Sequence, residues 1–177
     1  MSRMFNENEW STGDTHFGHS RVLAYSKRPF STIEEHDEVL IDNWNKTVHK
    51  KDKIYHHGDV SFYGREKTKE IVGRLKGYKI LIKGNHDLSK SAKYWYDVGF
   101  DEVYGYEYIR NGIIFSHCIS QCRCMPNIHA HLHDSKGSKY DYGRLNCVSV
   151  DCYDFKPVRT MDILRGWDLD SYGEKIK

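Results

Sequence analysis

The sequence lacks long apolar runs, proline-rich linkers and an excess of charge of either sign. No segment reaches the length of a membrane-spanning helix, and no apolar stretch of the signal-peptide type follows Met1. Lys and Arg number 27 against 25 Asp and Glu, so charge alone gives no reason to expect a DNA-binding or membrane-binding protein. We therefore expect a cytoplasmic protein without membrane partners. Its 177 residues should form one domain, with a core over about residues 6–166 and a tail over residues 167–177.

Cysteine spacings typical of structural zinc sites are also absent. The five cysteines all lie in the C-terminal third, and without a secretion signal they are expected to be reduced thiols. Cys118, Cys122 and Cys124 have the spacing C-x3-C-x-C, which lacks the paired C-x2-C units of a zinc knuckle. Histidine is abundant instead, with 11 residues. Their positions carry most of the functional information in the sequence.

Apolar spacing and turn residues predict an alternation of strands and helices. Ser31-Thr32-Ile33-Glu34 has the form of a helix capping box, and Asn111-Gly112 is a strong hairpin signal. Helices are predicted over residues 32–49, 65–76, 90–98 and 161–165, and strands over residues 6–13, 52–57, 79–83, 106–110, 113–116, 128–133 and 145–151. The strand-helix-strand order favours parallel pairing, to which the hairpin adds antiparallel pairing. His36 and His49 on the first helix are expected to face solvent or to cap the helix.

Metal-capable side chains follow the predicted strands. The carboxyl ends of parallel strands meet at one edge of a sheet, so side chains from distant segments converge there. His129, His131 and His133 occupy alternate positions that would face one side of an extended strand, and two of them are expected to bind metal. The candidate residues are Asp14, His16, Asp59, Asn85, His86, His117, His131 and His133.

This set of motifs resembles the calcineurin-like metallophosphoesterase family, and most of all its small bacterial and phage members. The matching motifs are Asp14-Thr15-His16, Gly58-Asp59, Gly84-Asn85-His86-Asp87, His117 and Ala130-His131-Leu132-His133. The resemblance covers residues 10 to about 160. It implies an α/β fold, namely a four-layer α-β-β-α sandwich with two mixed sheets.

The resemblance also implies a role for each candidate residue. One metal ion would be held by Asp14, His16, Asp59 and His133, and a second by Asn85, His117, His131 and the shared Asp59. A hydroxide bridging the two ions would attack phosphorus, and His86 would protonate the leaving oxygen. Mixed imidazole and oxygen ligands suit two divalent transition-metal ions, with manganese favoured and iron, nickel, cobalt or zinc also compatible.

Further residues are expected to support this site. Arg28 is a candidate phosphate contact, with a surface salt bridge as the alternative. His19, His57, Asp87 and His129 lie beside candidate ligands in the sequence. Each is a candidate for orienting a ligand, with plain packing or solvent exposure as the alternative.

Several residues depart from the motifs of the resembled family, among them Trp10-Ser11-Thr12, which replaces a more aliphatic strand. Gly13 stands before the first aspartate where serine is frequent, and Ala130 replaces the usual glycine of the last motif. His57 stands where an aliphatic residue is common, and Cys118 where a tyrosine is common. None of these changes removes a candidate ligand. They leave open whether the pocket is reshaped and whether His57 or Cys118 adds a contact.

Metal-dependent phosphoester hydrolysis is the function that these residues favour. A phosphodiester, such as a cyclic nucleotide or a nucleic-acid end, is slightly favoured over a phosphomonoester because no cap domain that would close the pocket is evident. A non-catalytic interaction module is one rival, since the family's fold also serves as a protein scaffold, and a nuclease acting on DNA ends is another. The expected partner is a small phosphate-ester substrate. The sequence leaves the oligomeric state open.

Overall fold

The structure, a computed structural model, describes residues 5–122, 124–133, 144–167 and 175. Its helices are α1 (Ser20–Tyr25), α2 (Ile33–Thr47), α3 (Arg65–Arg74), α4 (Ala92–Val98) and α5 (Thr160–Gly166). Its strands are β1 (Glu9–Thr12), β2 (Lys53–His56), β3 (Tyr78–Ile82), β4 (Glu102–Tyr104), β5 (Glu107–Arg110), β6 (Ile113–Ser116), β7 (Asn127–His129), β8 (Leu145–Cys147) and β9 (Val158–Arg159). The predicted tail lies outside the described residues except for Trp167 and Lys175. Among the described residues, no helix has the length and apolar character needed to cross a membrane.

The first sheet contains five strands in the order β4-β3-β2-β1-β9. Strands β1 to β4 run parallel, and β9 at the edge is antiparallel to β1. Thr12 at the end of β1 pairs with His56 at the end of β2, and His56 pairs in turn with Leu81 in β3. The carboxyl ends of these three strands therefore lie together at one edge of the sheet.

The second sheet contains four strands in the order β5-β6-β7-β8. Strands β5 and β6 form the predicted hairpin, and Asn111 and Gly112 both have the positive φ angles, 51° and 72°, that its two-residue turn requires. Strands β6, β7 and β8 are parallel to one another. The carboxyl ends of β6 and β7 thus lie side by side.

The two sheets pack face to face across an apolar core. The strand residues of this core are Tyr55, Ile80, Ile82, Ile113, Phe115 and Ile128. Ile54 and Leu81 point to the opposite face of the first sheet, because side chains alternate along a strand, and they pack against α2, α3 and α4. The predicted α/β sandwich with two mixed sheets flanked by helices is confirmed.

Local structure departs from the sequence pattern in several places. Helix α1 and strand β4 have no predicted counterpart, since segments this short carry little periodicity. The helix cap lies one residue later than predicted, because Thr32 Oγ1 accepts from the Glu35 N–H and the Glu35 carboxylate accepts from the Ser31 N–H. Strand β8 ends at Cys147, and residues 150–152 form a 3-10 helix in place of the predicted longer strand.

Candidate metal centre

Five loops, each following a strand, carry the predicted candidate residues. The loops after β1, β2 and β3 carry Asp14, His16, Asp59, Asn85 and His86, and those after β6 and β7 carry His117, His131 and His133. A bridge between Gly13 and Ser149 links the end of β1 to the chain that leaves β8. The loops of the two sheets therefore meet, and all eight residues belong to one connected group of side chains.

Asp14, His16 and His133 form one cluster of ligand atoms. One such atom from each residue lies within 4.8 Å of the other two. Asp14 Oδ1 and His16 Nε2 are buried, and neither has a hydrogen-bond partner in the described part of the chain. A buried polar atom without a partner costs about 1–3 kcal/mol. This cluster therefore suits a cation better than an empty or apolar pocket.

Asp59 lies at the centre of the group. Its Oδ2 atom is 3.7 Å from His16 Nε2, 3.5 Å from His117 Nε2 and 3.8 Å from His86 Nε2. Asp14, Asp59 and His117 form a further cluster whose ligand atoms lie within 4.8 Å of one another. The Asp59 carboxylate thus lies beside His16 of the first cluster and belongs to this further cluster.

His117 directs an imidazole lone pair toward Asn85 and His131. Its Nδ1 atom lies 2.7 Å from the carbonyl oxygen of His57, which can only accept, so Nδ1 carries the proton. Nε2 then faces Asn85 Oδ1 at 2.9 Å and His131 Nδ1 at 3.0 Å. Oxygen and nitrogen lone pairs that converge in this way suit a divalent cation.

Many of these side chains are directed into the site because their residues have a left-handed backbone conformation. Candidate residues with φ angles between 36° and 70° are Asp14, His16, Asp59, His131 and His133. Each such conformation costs a non-glycine residue on the order of 1–3 kcal/mol. Hydrogen bonds between the loops hold them: the His16 N–H donates to the Asp59 carbonyl, and the His131 N–H donates to Asp14 Oδ2.

Asp87 supports the loops rather than facing the cluster. Its buried carboxylate accepts hydrogen bonds from the N–H groups of Asp59, Val60 and Gly84 at 2.7 to 3.2 Å. The two loops approach so closely that a β-carbon on Gly84 would lie 2.2 Å from Asp59 Oδ1. Burial raises the pKa of Asp87, and the three amide donors oppose that rise. Asp87 therefore fixes the position of Asp59 and hence the centre of the site.

The three alternate histidines of the last motif do not face one side. Strand β7 ends at His129, whose ring is buried with Nδ1 at 2.8 Å from the Ala130 carbonyl. The left-handed conformations of His131 and His133 break the extended pattern at once. The predicted one-sided row of imidazoles is therefore wrong, although His131 and His133 both reach the candidate centre.

His57 and His19 each contact a candidate ligand. His57 is buried, donates from Nδ1 to the Ser116 carbonyl, and accepts from His117 through its own carbonyl. The backbone of His57 therefore orients His117. His19 Nδ1 lies 3.4 Å from His16 Nδ1 at the partly exposed rim of the site.

Arg28 does not face the pocket. Its Nε and Nη2 atoms donate to the Asp151 carboxylate at 2.8 and 2.7 Å, and Nη2 and Nη1 donate to the carbonyls of Asp14 and Thr15. Nη1 also donates to His36 Nε2 at 2.7 Å. The predicted phosphate contact is wrong, because every N–H of this buried guanidinium is used inside the protein. Arg28 holds the loop after β1 from behind.

His36 is likewise part of this buried network. Its ring is fully buried and donates from Nδ1 to Asp37 at 2.8 Å. The prediction that it faces solvent or caps the helix is wrong, because Arg28 draws the ring inward. His49, the other histidine in that prediction, is exposed.

Asp151 is a site residue that the sequence did not indicate. Its Oδ2 atom accepts from His133 Nδ1 at 2.9 Å, so Nε2 is the nitrogen of His133 that could bind a cation. Burial opposes ionisation of Asp151, but hydrogen bonds from His133 and Arg28 outweigh it and lower its pKa to about 2. Burial also opposes the charged form of His133, yet the bond to Asp151 raises the pKa of His133. Asp151 lies in a 3-10 helix outside any motif.

Burial dominates the electrostatics of the first cluster. Desolvation raises the pKa of Asp14 to about 6, opposed by nearby His117 and His133. Desolvation lowers the pKa of His16 far below its ordinary value. His16 is therefore a neutral imidazole at neutral pH, the form that binds metal, and a cation beside Asp14 would favour its carboxylate.

Exposed aromatic rings line one rim of the site. Phe62 is 40% exposed and stacks on His19 with ring centroids 3.9 Å apart and an interplanar angle of 15°. It also lies 4.8 Å from the ring of His86. Tyr25 is 55% exposed and meets His133 edge-on at 5.9 Å, beside a cavity of about 600 Å³. Flat apolar surface thus adjoins the candidate ligands.

Comparison with known proteins identifies a relative of this chain by sequence. No known protein-family model matches it. It is 32% identical over 160 residues to the uncharacterized protein MJ1445 of Methanocaldococcus jannaschii, and the match covers 85% of each chain. The chain belongs to the MJ1445 family.

Two solved structures share the fold of this MJ1445-family chain. The protein of unknown function AQ665 from Aquifex aeolicus has a TM-score of 0.71 and 25% identity, covering 89% of this chain and 97% of that one. Nuclease MPE from Pseudomonas putida has a TM-score of 0.50 and 15% identity, covering 72% of this chain and 62% of that one. The similarity to nuclease MPE shows a common fold.

The donor set of the MJ1445-family chain fits divalent metal ions. Its ligand atoms are imidazole nitrogens, carboxylate oxygens and one amide oxygen, a mixture that suits first-row transition metals. Two of these atoms are buried without a hydrogen-bond partner among the described residues. The His and Asp groups can therefore hold metal.

Proposed function

We propose that the chain is a hydrolase that uses divalent metal ions to cleave a phosphodiester. The observation that carries the proposal is the Asp59 carboxylate, which lies within 3.8 Å of imidazole nitrogens from three other loops. Two buried candidate ligand atoms that have no hydrogen-bond partner among the described residues lie close to it. The fold shared with a nuclease supports the same class of reaction.

Two ions are proposed, one for each half of the centre. The first is held by Asp14, His16, His133 and Asp59, and the second by Asn85, His117, His131 and Asp59. Once bound, such ions would neutralise phosphoryl charge and supply a nucleophile from water at neutral pH. Asp151 and the carbonyl of His57 orient the imidazoles of His133 and His117 for this task.

His86 is proposed as the group that protonates the leaving oxygen. Its side chain is 47% exposed, and its backbone N–H donates to Asp59 Oδ1 at 3.1 Å. The hydrogen bond therefore holds the backbone of His86 next to Asp59, while the exposed imidazole ring remains accessible to a substrate. A positioned acid of this kind contributes roughly 10²- to 10⁴-fold in rate.

The aromatic rim favours a substrate that carries a nucleobase. Phe62 presents a half-exposed ring beside His86, and Tyr25 presents another beside His133. A base stacked on one such ring gains about 1–3 kcal/mol. We therefore take a nucleotide diester or a nucleic-acid end as the substrate class.

The proposal is tested by metal-dependent turnover. The protein is stripped with a chelator, reloaded separately with manganese, iron, nickel, cobalt or zinc, and assayed with an aryl phosphodiester and the matching aryl phosphomonoester. We expect turnover only after reloading, with the diester preferred. Asp59→Asn should abolish it, while Asp97→Asn, a change in an exposed ion pair on α4, should not.

Each outcome has a definite meaning. Turnover of the monoester alone would make the protein a phosphomonoesterase of the same mechanism. Metal binding without turnover of any ester would favour a non-catalytic interaction module. Failure to bind metal would overturn the proposal entirely.

A further inference from the structure

A sulfur donor adjoins the second half of the candidate centre. A ligand atom of His117, the Cys118 thiol and a ligand atom of His131 lie within 4.8 Å of one another. Cys118 is exposed and lines a cleft of about 270 Å³ together with Asn85 and His117. This thiol is thus open to the same space as the nitrogen and oxygen ligands.

The end of β6 explains how adjacent residues reach the same cluster. In a continuing strand, His117 and Cys118 would point to opposite faces of the sheet. Strand β6 instead ends at Ser116, whose hydroxyl donates to the Cys118 carbonyl at 2.6 Å. Because regular strand geometry stops there, the imidazole and the thiol both face the cleft.

We propose that Cys118 binds, as a thiolate, the ion held by Asn85, His117 and His131. The inference rests on the metal centre of the proposed function. Binding breaks the S–H bond, forms a sulfur–metal bond and releases one proton to water, so no oxidant or reductant is involved. The second site then has sulfur, nitrogen and oxygen donors.

The sulfur donor makes the two halves of the centre unequal. Thiolate is a soft ligand that favours zinc and cobalt over manganese, whereas imidazole and carboxylate accept all of these ions. Asp14, His16 and His133 offer only nitrogen and oxygen. The second site is therefore selective for a thiophilic ion, and the first is not.

The other thiols must be separated from this effect. Cys122 and Cys124 place their sulfur atoms 2.8 Å apart near the surface, so this pair could bind a soft metal by itself. The experiment therefore uses a Cys122→Ser/Cys124→Ser background. Cys152→Ser in that background controls for the removal of a further thiol.

Cobalt(II) gives a readout that does not depend on activity. Thiolate ligation produces a charge-transfer band in the near ultraviolet, while bound cobalt in general shows weaker ligand-field bands in the visible. We expect the charge-transfer band in the background protein and in its Cys152→Ser derivative, and its loss after Cys118→Ser. Dialysis followed by metal analysis should show that the Cys118→Ser derivative still contains cobalt.

The outcomes separate this inference from the proposed function. A band that survives Cys118→Ser, or a band that never appears although cobalt is bound, overturns the role of Cys118 and leaves the metal centre standing. Loss of the band in the Cys122→Ser/Cys124→Ser background assigns it to that pair and also overturns the inference. A protein that binds another of the tested metals but no cobalt overturns the role of Cys118 alone, and one that binds none of the tested metals overturns both.

Discussion

The Ala130 side chain occupies the space that a side chain at Gly13 would need. A β-carbon built on Gly13 lies 2.6 Å from Ala130 Cβ and 3.2 Å from His57 Cβ. The Val150 N–H donates to the Gly13 carbonyl at 3.0 Å, which fixes the backbone there. Gly13 and Ala130, which both depart from the resembled motifs, therefore compensate each other. The Ala130 methyl group fills the space that the missing side chain of Gly13 leaves.

Gly13→Ala should destabilise the protein, and Ala130→Gly should restore much of the loss. Overpacking at a buried site costs about 1–3 kcal/mol, so urea unfolding of Gly13→Ala should show a loss of that size. The double variant should be more stable than the sum of the single changes predicts, although the His57 contact remains. Gly73→Ala in α3 is the control, since a β-carbon there meets no atom of the described residues within 4 Å. Strict additivity of the two changes would contradict the explanation.

The sequence indicates which residues gather at the site because the order of the strands can be predicted from it. Asp59 and Asn85 each follow a segment whose apolar pattern predicts a strand, whereas the strand predicted before Asp14 has little apolar character. Parallel strands place their carboxyl ends together. The backbone conformation of the loops that follow these strands cannot be predicted in the same way. Asp and His adopt positive φ more often than most residues, but their type alone does not specify it. The positive φ angles of Asp14 and His131 go together with a hydrogen bond between their loops, which are distant in sequence.

Arg28 shows the other limit of the sequence. A lone arginine in a loop can contact substrate, solvent or a buried acid, and only the fold decides among them. Its partner Asp151 lies 123 residues away, outside any motif, so no local pattern joins the two. The same distance explains why Asp151 itself could not be recognised as the residue that orients His133.

Arg28→Ala should lower the free energy of unfolding by about 3–5 kcal/mol, because it leaves the Asp151 carboxylate buried without its main partner. Arg28→Lys keeps the positive charge but loses the guanidinium, which binds both oxygens of Asp151. The variant should remain folded, and its metal binding should be weaker because Asp151 orients His133 less well. Arg74→Ala is the control, since its bidentate pair with Glu38 is exposed and should contribute only about 0–1 kcal/mol. Unfolding curves and metal analysis check both. A raised KM with unchanged stability in Arg28→Lys would instead indicate a phosphate contact.

The metal-free protein should lose stability in mild acid because His56 and His57 are buried as neutral rings. Burial lowers the pKa of each to about 3, from an ordinary value of 6.5. The unfolded chain therefore binds more protons between these values, and stability falls as pH drops below 6.5. The loss should be about 2 kcal/mol per histidine by pH 5.

His57→Leu should reduce this pH dependence. Comparing unfolding of the two metal-free proteins at pH 7 and pH 5 cancels the opposite contribution of Asp14, whose raised pKa favours the folded state as pH falls. His49→Gln, a change at an exposed histidine, serves as the control and should leave the dependence unaltered. An unchanged pH dependence in His57→Leu would show that this ring does not remain neutral.

Phe62→Leu should weaken the preference for a nucleobase. A nucleoside p-nitrophenyl phosphodiester and the methyl p-nitrophenyl phosphodiester share a leaving group and differ only in the group that can stack. The ratio of their kcat/KM values should fall by about 5- to 150-fold, the equivalent of about 1–3 kcal/mol of stacking. Tyr96→Leu is the matched control, since Tyr96 is half exposed on α4. Equal loss on both substrates would mean that Phe62 supports the site without contacting a base.

His86→Asn should cut turnover and leave the metal content unchanged. The ring lies 3.8 Å from Asp59 Oδ2 and is 47% exposed, so it can meet a leaving group without being needed to hold an ion. We expect a loss of roughly 10²- to 10⁴-fold in kcat for an alkoxide leaving group, which needs a proton. The loss should be smaller for p-nitrophenolate, which leaves without one. His131→Asn is the contrasting variant and should lower the metal content. Loss of metal in His86→Asn, or an equal effect on both leaving groups, would exclude proton donation as its role.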